Sequence, residues 1–281
     1  MKTNHEIGDF EADYISQDEK SKKRKRILIP IIVLLIIIII VFIIIIINVS
    51  KKKKKNEIDM AKEYDFFNFA FQNPRLYCYS YKKDIEYCLN KTTQYKNNKL
   101  TIHGLWPSII NKLVKEIKFY NCNTGTEIQV KIDDRDFYEK KMNKYWPSSL
   151  QNNTDFWTHE YNKHGYCYNQ RNQISVYNYT HYFKKTVEIF EQKNISNLLT
   201  IISPEKSQDL VFKYNKTDFV NLVKNKTGAT PYLFCAKYKD MNIVYEIEFA
   251  LSLNFSYITN DNMVKEIDNV CPDSEIVFKF D

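Results

Sequence analysis

The chain has 281 residues, of which 44% are hydrophobic and 15% aromatic, enough for one sizeable globular domain but not for two large ones. Its formal net charge of +7 comes largely from two basic runs, residues 20–26 and 51–55, which flank an apolar segment. The part that follows is closer to neutral, so the overall charge gives little support for nucleic-acid binding through a basic surface.

The N-terminal part contains three segments of different composition. Residues 1–26 are polar, with acidic residues first and basic residues last, and are predicted to be a disordered cytoplasmic tail. Residues 27–47 carry no charge, and as a helix they would span roughly 30 Å, the thickness of the hydrocarbon core of a bilayer. We expect a single transmembrane helix here that acts as a signal anchor, followed by a charged linker over residues 48–63.

A cleaved signal peptide is the alternative for residues 27–47. The apolar region of a signal peptide usually has about 7–15 residues and ends in small residues, whereas this one is longer and is followed by Asn48, Val49 and Ser50. Basic clusters lie on both sides, so the positive-inside rule does not decide the orientation. The membrane is the expected partner of this segment, and other residues must decide which side the main domain occupies.

All six cysteines follow the apolar segment. An even number confined to one side of a membrane suggests three disulfides in an oxidising lumen or outside the cell. Six reduced thiols in a cytosolic domain are an alternative, and zinc binding is less favoured because no Cys-x-x-Cys pair is present. The six are Cys78, Cys88, Cys122, Cys167, Cys235 and Cys271.

Glycosylation sequons indicate the same orientation, because N-glycosylation occurs on the lumenal face. The chain is rich in asparagine, so the direction is more informative than any single site. We therefore expect a single-pass membrane protein whose main domain, residues 64–281, lies in the lumen of the secretory pathway, a lysosome or a vacuole, or at the cell surface. The sequons begin at Asn90, Asn152, Asn178, Asn194, Asn215, Asn225 and Asn254.

The main domain opens with two predicted strands. Residues 64–71, YDFFNFAF, form a dense aromatic run typical of a buried strand, which ends at Asn73-Pro74. Residues 99–103 predict a second strand, closed by a turn at GLWP.

Two helices are predicted next. Residues 134–145 have helical spacing and stop before a Trp-Pro pair, because the residue before proline avoids the α conformation. Residues 156–165 predict a short helix with Thr154 or Asp155 as its cap.

The remainder of the domain alternates less regularly. No internal repeat, P-loop or dinucleotide fingerprint is present, and strands and helices mix without strict βαβ order, which favours an α+β fold. Predicted helices span residues 179–192 and 217–226, the second stopped by Gly228, and predicted strands span residues 231–237, 243–255 and 275–280.

Three of the five histidines lie in two short segments, LTIHGLWPS (residues 100–108) and FWTHEYNKHGYC (residues 156–167). Histidine has an unperturbed pKa of about 6.5, so two of them can run acid and base steps near neutral pH without a metal. At about 100° per residue, a helix would place four side chains of the second segment within an arc of roughly 140°. Those four are His159, Glu160, Lys163 and His164.

Two other interpretations of the second segment need weighing. A zinc protease motif has histidines four residues apart, but His159 and His164 are five apart. The residue four positions after His159 is the cationic Lys163, which argues against a metal there. The segment can also be a solvated helix face with i,i+4 pairs, which the flanking Trp, Gly and Cys residues make less favoured. His103 alone would be a satisfied core or turn histidine.

Together, the two histidine segments resemble the two active-site segments of the T2-type ribonucleases, endonucleases that cut single-stranded RNA. The resemblance covers residues 64–281, and Trp106, Trp146 and Trp157 also match family positions. The family fold, an antiparallel sheet with packed helices, agrees with the α+β prediction. Further matching segments are YDFFNFAFQNPRLYC, YWPSSL, HYFKKTVEIF and ATPYLFC.

This resemblance implies a role for each charged residue. His164 is the general base that draws the proton from the ribose 2′-OH, and His103 is the general acid that protonates the leaving 5′-oxygen. His159 would hold the phosphate, while Lys163 and Glu160 would stabilise the anionic phosphorane. The products would be a 2′,3′-cyclic phosphate and then a 3′-phosphate.

The same mechanism implies several further properties. We expect no cofactor and no metal, and DNA should be inert because the 2′-OH is the nucleophile. Activity should be bell-shaped in pH with an acidic to mildly acidic optimum. Single-stranded bases stack on aromatic groups, and the candidates by position are Trp106, Tyr77 and Gln72, although Trp106 can equally be a core residue.

The resemblance also implies the disulfide pairing. Cys122 would join Cys167 and thereby tie the end of the catalytic helix to the loop after GLWP. The other pairs would be Cys78 with Cys88 and Cys235 with Cys271.

Two functions compete with a membrane-anchored endoribonuclease. One is a catalytically inactive membrane-anchored RNA-binding or signalling module of the same fold, which the presence of all the proton-transfer side chains disfavours. The other is a receptor or scaffold whose motifs are incidental, which explains the apolar helix but not the histidines.

Overall fold

The computed structural model describes residues 32, 34–51, 64–81, 84–95, 99–111, 116–119, 122–123, 125–201, 211–258 and 271–279. The chain divides into two units, Met1–Glu57 and Ile58–Asp281. The predicted cytoplasmic tail and most of the predicted linker lie outside the described residues, so both stay predictions.

The described part of the first unit contains a helix, Leu34–Lys51, with a mean hydropathy of 3.1 and no side chain buried against protein. At 1.5 Å per residue it is about 27 Å long. Its length and composition are sufficient to cross a bilayer, as the apolar segment predicts, and a signal sequence has the same properties. The helix continues to Lys51, so residues 48–51 of the predicted linker are helical.

The described residues of the second unit form a seven-stranded, mostly antiparallel sheet in the order β3-β2-β1-β6-β7-β4, with β5 also paired to β6. The parallel exception is the pairing of β6 with β7. Helices pack on this sheet, so the fold is α+β, as predicted. The strands are β1 Phe66–Gln72, β2 Thr101–Asn111, β3 Glu116–Phe119, β4 Val211–Asn215, β5 Tyr232–Tyr238, β6 Met241–Leu251 and β7 Glu275–Lys279.

Strand β1 lies at the centre of the sheet, and all of its residues are buried. Side chains alternate between the two faces of a strand, so Phe67, Phe69 and Phe71 join the main core cluster. Asn68 and Gln72 point to the opposite face. The aromatic run therefore builds the main core on one side of the sheet, and on the other side polar groups lie beside Phe66, which joins a second, smaller hydrophobic cluster.

The helices of the second unit agree with the predicted ones at Tyr179–Gln192 and Lys216–Thr227, and Gly228 ends the latter with a positive φ of 77°. Two longer helical stretches each contain a π-helical turn, here named the 135–145 helix and the 153–171 helix. Their segments are Arg135–Phe137, Tyr138–Met142 and Asn143–Tyr145, and Asn153–Glu160, Tyr161–Gly165 and Tyr166–Arg171. Short helices span Pro74–Tyr77, Cys78–Ser80, Ile85–Lys91 and Ile195–Ile201.

The predicted turn at GLWP is wrong, because β2 runs through it to Asn111. Proline is tolerated in a strand where its missing N–H would not join a ladder. Strand β3 pairs with β2 only from Ser108 onwards, so Pro107 faces no described strand on that side.

The predicted cap of the second helix is also wrong. Asn152 caps it, since its side-chain oxygen accepts a hydrogen bond from the Asp155 N–H at 2.8 Å. The helix therefore begins at Asn153 and continues past Gly165 to Arg171.

The structure contains the three disulfides that the resemblance implies: Cys78–Cys88, Cys122–Cys167 and Cys235–Cys271. The second joins the 153–171 helix to the segment that follows β3. The Cys122 N–H also donates to the Lys163 carbonyl at 3.0 Å. The disulfide and this hydrogen bond therefore both attach the segment after β3 to the 153–171 helix, at its π-helical turn.

We predict that the double variant Cys122→Ser/Cys167→Ser lowers the unfolding free energy by about 2–4 kcal/mol, because the bridge closes a long loop in the unfolded chain. Its cysteines are 45 residues apart, against 10 for Cys78 and Cys88. The control Cys78→Ser/Cys88→Ser should therefore lose about 1 kcal/mol less. Urea unfolding of the full-length chain in detergent measures both, and an equal loss would contradict the loop-length argument.

Candidate active site

Every predicted catalytic and substrate-binding residue lines one cavity of about 380 Å³. The cavity lies between β1, β2, the 153–171 helix and the loop that precedes that helix. The sequence therefore identified side chains that the fold brings together from separate elements. They are Gln72, Tyr77, His103, Trp106, His159, Glu160, Lys163 and His164.

His103 occupies a β-bulge in β2. Gly104 pairs with Ala70 and Ile102 pairs with Phe71, so His103 is an extra residue without a partner on β1. Bulges re-aim side chains and occur next to active sites. The imidazole faces the cavity, while Ile102 on its N-terminal side remains in the core.

Gly104 permits the closest approach in the site. A methyl group at this position would collide with the Trp106 indole nitrogen and with a carboxyl oxygen of Glu160. These two side chains lie directly over the glycine, and the Trp106 indole N–H donates to Glu160 Oε2 at 2.9 Å. Glycine is therefore required here because there is no room for a Cβ atom.

The 153–171 helix divides its four charged residues into an exposed pair and a buried pair. His159 and Lys163 are exposed at the mouth of the cavity, whereas Glu160 and His164 are buried. Each pair is four residues apart, across the start of the π-helical turn Tyr161–Gly165. The single charged face expected from the sequence thus becomes a solvent-facing pair and a core-facing pair, and such turns occur frequently at functional sites.

His164 is held as a buried, neutral imidazole. Its ring stacks on Trp106 with the centroids 5.1 Å apart, and its Nδ1 has no hydrogen-bond partner among the described residues. Burial holds the pKa of His164 well below its usual value, and the nearby Lys163 and His103 lower it further. A neutral imidazole can accept a proton.

His103 lies between two carboxyl groups. Its Nδ1 is in contact with Glu246 Oε2, and its Nε2 lies 4.0 Å from Glu160 Oε1. Burial lowers the pKa of His103, and the carboxylates Glu160 and Glu248 act in the opposite direction by favouring the imidazolium. Burial also raises the pKa of Glu160, against which His103 and the Trp106 hydrogen bond favour the carboxylate.

The three tryptophans form a series of hydrogen bonds around the site. The Trp157 indole donates to the Trp146 carbonyl at 2.7 Å, and the Trp146 indole donates to the His103 carbonyl at 2.9 Å. Trp106 completes the series through Glu160. The backbone of the bulge and the carboxyl group opposite it are thereby positioned by indole N–H groups.

The candidate base-binding residues differ in what they expose. Trp106 is only 8% exposed, with its ring between His103 and His164, which favours the core interpretation. Gln72 is buried and its Oε1 has no described hydrogen-bond partner. Tyr77 is partly exposed and its ring lies edge-on to His103 at 6.2 Å. The base-binding role stays a prediction for all three.

Sequence reasoning did not find several residues of the site. Ser148, Ser149, Leu150, Gln151 and Phe156 also line the cavity, and Glu246 and Glu248 lie behind His103. The alternation VYEIEFAL in β6 does show two carboxylates on one strand face, but an acidic strand face usually points to solvent, so this signal does not identify a site.

Comparison with known proteins agrees with the fold and identifies the family. A sequence model of the ribonuclease T2 family matches residues 64–266. Extracellular ribonuclease LE of Solanum lycopersicum is 30% identical over 183 residues, which are 63% of this chain and 71% of that protein. Ribonuclease DdI of Dictyostelium discoideum is 28% identical over 177 residues, 62% of this chain and 69% of that protein.

Solved structures show the same fold at low identity. The crystal structure of human RNase T2 superimposes with a TM-score of 0.53 at 21% identity, covering 76% of this chain and 97% of that one. Ribonuclease MC1 from bitter gourd seeds gives 0.54 at 20% identity, covering 76% and 99%. The chain belongs to the ribonuclease T2 family, and this relationship supports endoribonuclease activity.

We predict that His164 makes the protein less stable in acid. A histidine whose pKa is lower in the folded state leaves the unfolded chain with more bound protons below about pH 6.5, so the unfolding free energy falls as the pH falls. The difference between wild type and His164→Asn should decrease by up to about 1.4 kcal/mol per pH unit between about pH 6 and pH 5. Urea unfolding at each pH measures this difference.

The matched control is His181→Asn, which replaces an exposed histidine outside the cavity. It should follow the wild-type pH dependence. Parallel curves for wild type and His164→Asn would show that His164 is not held neutral by the fold.

Proposed function

We propose that the protein is a metal-independent endoribonuclease that cleaves single-stranded RNA by histidine acid and base catalysis. The observation that carries the proposal is the single cavity lined by His103, His159, Glu160, Lys163 and His164. The cavity combines a buried neutral imidazole, a second imidazole between carboxyl groups, and two exposed side chains that can bind an anion.

The charges of the cavity match the parts of an RNA phosphodiester. Lys163 and His159, exposed at the mouth, would bind the phosphate, as an ammonium ion and a hydrogen-bond donor can. Burial favours the protonated form of Glu160, and in that form its carboxyl group can donate to a phosphoryl oxygen in the transition state. Preorganised groups of this kind stabilise developing charge most effectively in a site that excludes water.

The two imidazoles take opposite proton duties. His164 removes the proton of the ribose 2′-OH, the 2′-oxygen bonds to phosphorus, and the bond from phosphorus to the 5′-oxygen breaks as His103 Nε2 protonates that oxygen. The product is a 2′,3′-cyclic phosphate. Hydrolysis reverses the duties: His103 takes a proton from water and His164 protonates the departing 2′-oxygen, which leaves a 3′-phosphate.

The directions of the pKa shifts define the pH dependence. His164 must be neutral, and its pKa is lowered, so activity is lost only when the pH falls below that pKa. His103 must be protonated, and its pKa is lowered less strongly, so activity is lost as the pH rises through that value. Both limits lie below about 6.5, which supports an acidic to mildly acidic optimum.

We predict that the full-length chain, made in an oxidising compartment and purified in detergent, cuts single-stranded RNA and leaves DNA of the same sequence intact. A chelator should have no effect, and the first products should carry 2′,3′-cyclic phosphate ends. His103→Ala and His164→Ala should each lower the rate by about 10²–10⁴-fold, the usual contribution of general acid–base catalysis. His181→Ala, outside the cavity, should retain the wild-type rate.

Gel assays across about pH 4 to 8 and end-group analysis measure these outcomes. A correctly disulfide-bonded chain that leaves RNA intact throughout that range would contradict the proposal. If that chain still bound RNA, the inactive RNA-binding module would replace the enzyme as the better interpretation. Solved relatives are described with bound nucleotides, such as RNase NT with 5′-AMP, so binding alone does not distinguish the two.

We further propose that the helix Leu34–Lys51 anchors the protein in a membrane with residues 64–281 in the lumen or outside the cell. Three disulfides support an oxidising compartment. The asparagines of the predicted sequons of the second unit are also all exposed, so they are accessible to a glycosyltransferase. Its partners would be single-stranded RNA and, through that helix, the membrane.

We predict that the chain synthesised with microsomes stays in the membrane after carbonate extraction, is protected from protease, and shifts in mobility on glycosidase treatment. Asn90→Gln should remove one glycan, whereas Asn172→Gln, at an exposed asparagine outside any sequon, should not. Release of a soluble lumenal domain would indicate a cleaved signal peptide. An unglycosylated, protease-sensitive chain would place the domain in the cytosol.

A further inference from the structure

Glu246 and Glu248 are two buried carboxyl groups that the proposed mechanism does not use. They lie two residues apart on β6 and are only 6% and 2% exposed, on the face of the sheet that carries the cavity. Buried carboxyl groups are strongly disfavoured unless hydrogen-bonded or paired. Their partners therefore indicate what they do.

The two carboxyl groups connect β1 to the imidazole of His103. The Asn68 side chain of β1 donates from Nδ2 to Glu248 Oε2, and the carboxyl groups of Glu248 and Glu246 are close enough to share a proton. Glu246 Oε2 in turn contacts Nδ1 of His103. The result is a continuous series of polar contacts across β1, β6 and β2.

The charges of the two carboxyl groups decide which of them donates a proton to the other. Two adjacent buried carboxyl groups cannot both ionise easily, so they share a proton. Burial and the neighbouring Glu246 raise the pKa of Glu248 well above its ordinary range, while that of Glu246 rises to about 7, with the Glu248 hydrogen bond acting to lower it. The pair therefore holds one proton and one negative charge between its two carboxyl groups. Glu248 keeps the proton more tightly, and contact with the His103 imidazolium favours the carboxylate form of Glu246.

The carboxylate determines which nitrogen of His103 can transfer a proton. A hydrogen bond at one ring nitrogen decides the tautomer and the orientation of the other nitrogen. With Nδ1–H donating to Glu246, the proton that comes and goes is on Nε2, the nitrogen on the Glu160 side. Since His103 lies in a bulge without a partner on β1, its orientation depends on such contacts.

We propose that Glu246, supported by Glu248, is a positioning residue that directs Nε2 of His103 into the cavity and stabilises its imidazolium. This inference rests on the proposed function, in which His103 is the general acid. Glu246 is not among the side chains that line the cavity, so we place its action on His103, which it contacts.

The first test replaces the charge and keeps the shape. In the full-length chain, Glu246→Gln should lower kcat for RNA cleavage by about 10- to 100-fold, part of the usual contribution of a general acid, and leave KM unchanged. Loss of a nearby negative charge lowers the pKa of an imidazolium, so the alkaline limb of the pH profile should move down by about one unit or more. Glu248→Gln should lower kcat much less, because its side-chain amide can still donate a hydrogen bond to Glu246.

The matched control is Glu275→Gln, which replaces an exposed carboxylate on β7 and should leave kcat, KM and the pH profile unchanged.

The pH profile also depends on the other titratable or charged groups that face His103. In the part of the chain that the structure describes, these are Glu246 and Glu248 of β6, Glu160, His159, Lys163 and His164 of the 153–171 helix, and Tyr77.

A second measurement depends neither on RNA cleavage nor on whether the Glu246→Gln variant folds. Histidine-selective ¹⁵N NMR of the wild-type chain, with His103 assigned from His103→Asn, should show neutral His103 as the Nδ1–H tautomer and titration at Nε2. A neutral Nε2–H tautomer would overturn the inference, as would wild-type kcat and an unmoved alkaline limb in a folded Glu246→Gln variant. If the wild type cuts no RNA, the proposed function fails while the tautomer still decides the positioning role.

Discussion

The candidate active site depends on one irregularity in the central sheet, the bulge at His103. In a regular strand, side chains alternate between the two faces of the sheet. If β2 paired with β1 without a bulge, either Ile102 would leave the core face or Gly104 would leave the face that carries the cavity. The extra residue allows Ile102 to stay in the core while Gly104 lies under Trp106 and Glu160. His103 is thereby freed from the ladder and placed at the edge of the cavity.

That freedom has to be limited by other contacts, and the structure supplies them from three directions. Trp146 binds the backbone carbonyl of His103, Glu246 holds one ring nitrogen, and Phe156 packs near the ring with centroids 5.9 Å apart. Each contact comes from a different element. The orientation of the imidazole is therefore a property of the assembled domain rather than of β2.

The site also separates charge by depth. Buried carboxyl and imidazole groups carry shifted pKa values because water does not solvate them, whereas His159 and Lys163 lie exposed at the mouth of the cavity. This arrangement lowers the stability of the domain, since each buried titratable group must be desolvated. The disulfides and the aromatic core offset that cost, and Cys122–Cys167 does so next to the 153–171 helix.

Local features of the sequence predicted much of this protein. The apolar helix, the aromatic strand β1 and the helix Tyr179–Gln192 follow from composition and periodicity, which depend on near neighbours in the chain. The two histidine segments were distinguished by their concentration of histidines, and their resemblance to family segments linked them to one site. The bulge, the π-helical turn and the Asn152 cap were not predicted, because they arise where one element must fit another. Glu246 and Glu248 show the difference most clearly: the sequence records two carboxylates alternating along a strand, and only the strand order, which places β6 beside β1 and near His103, determines that they are buried behind an imidazole instead of facing water.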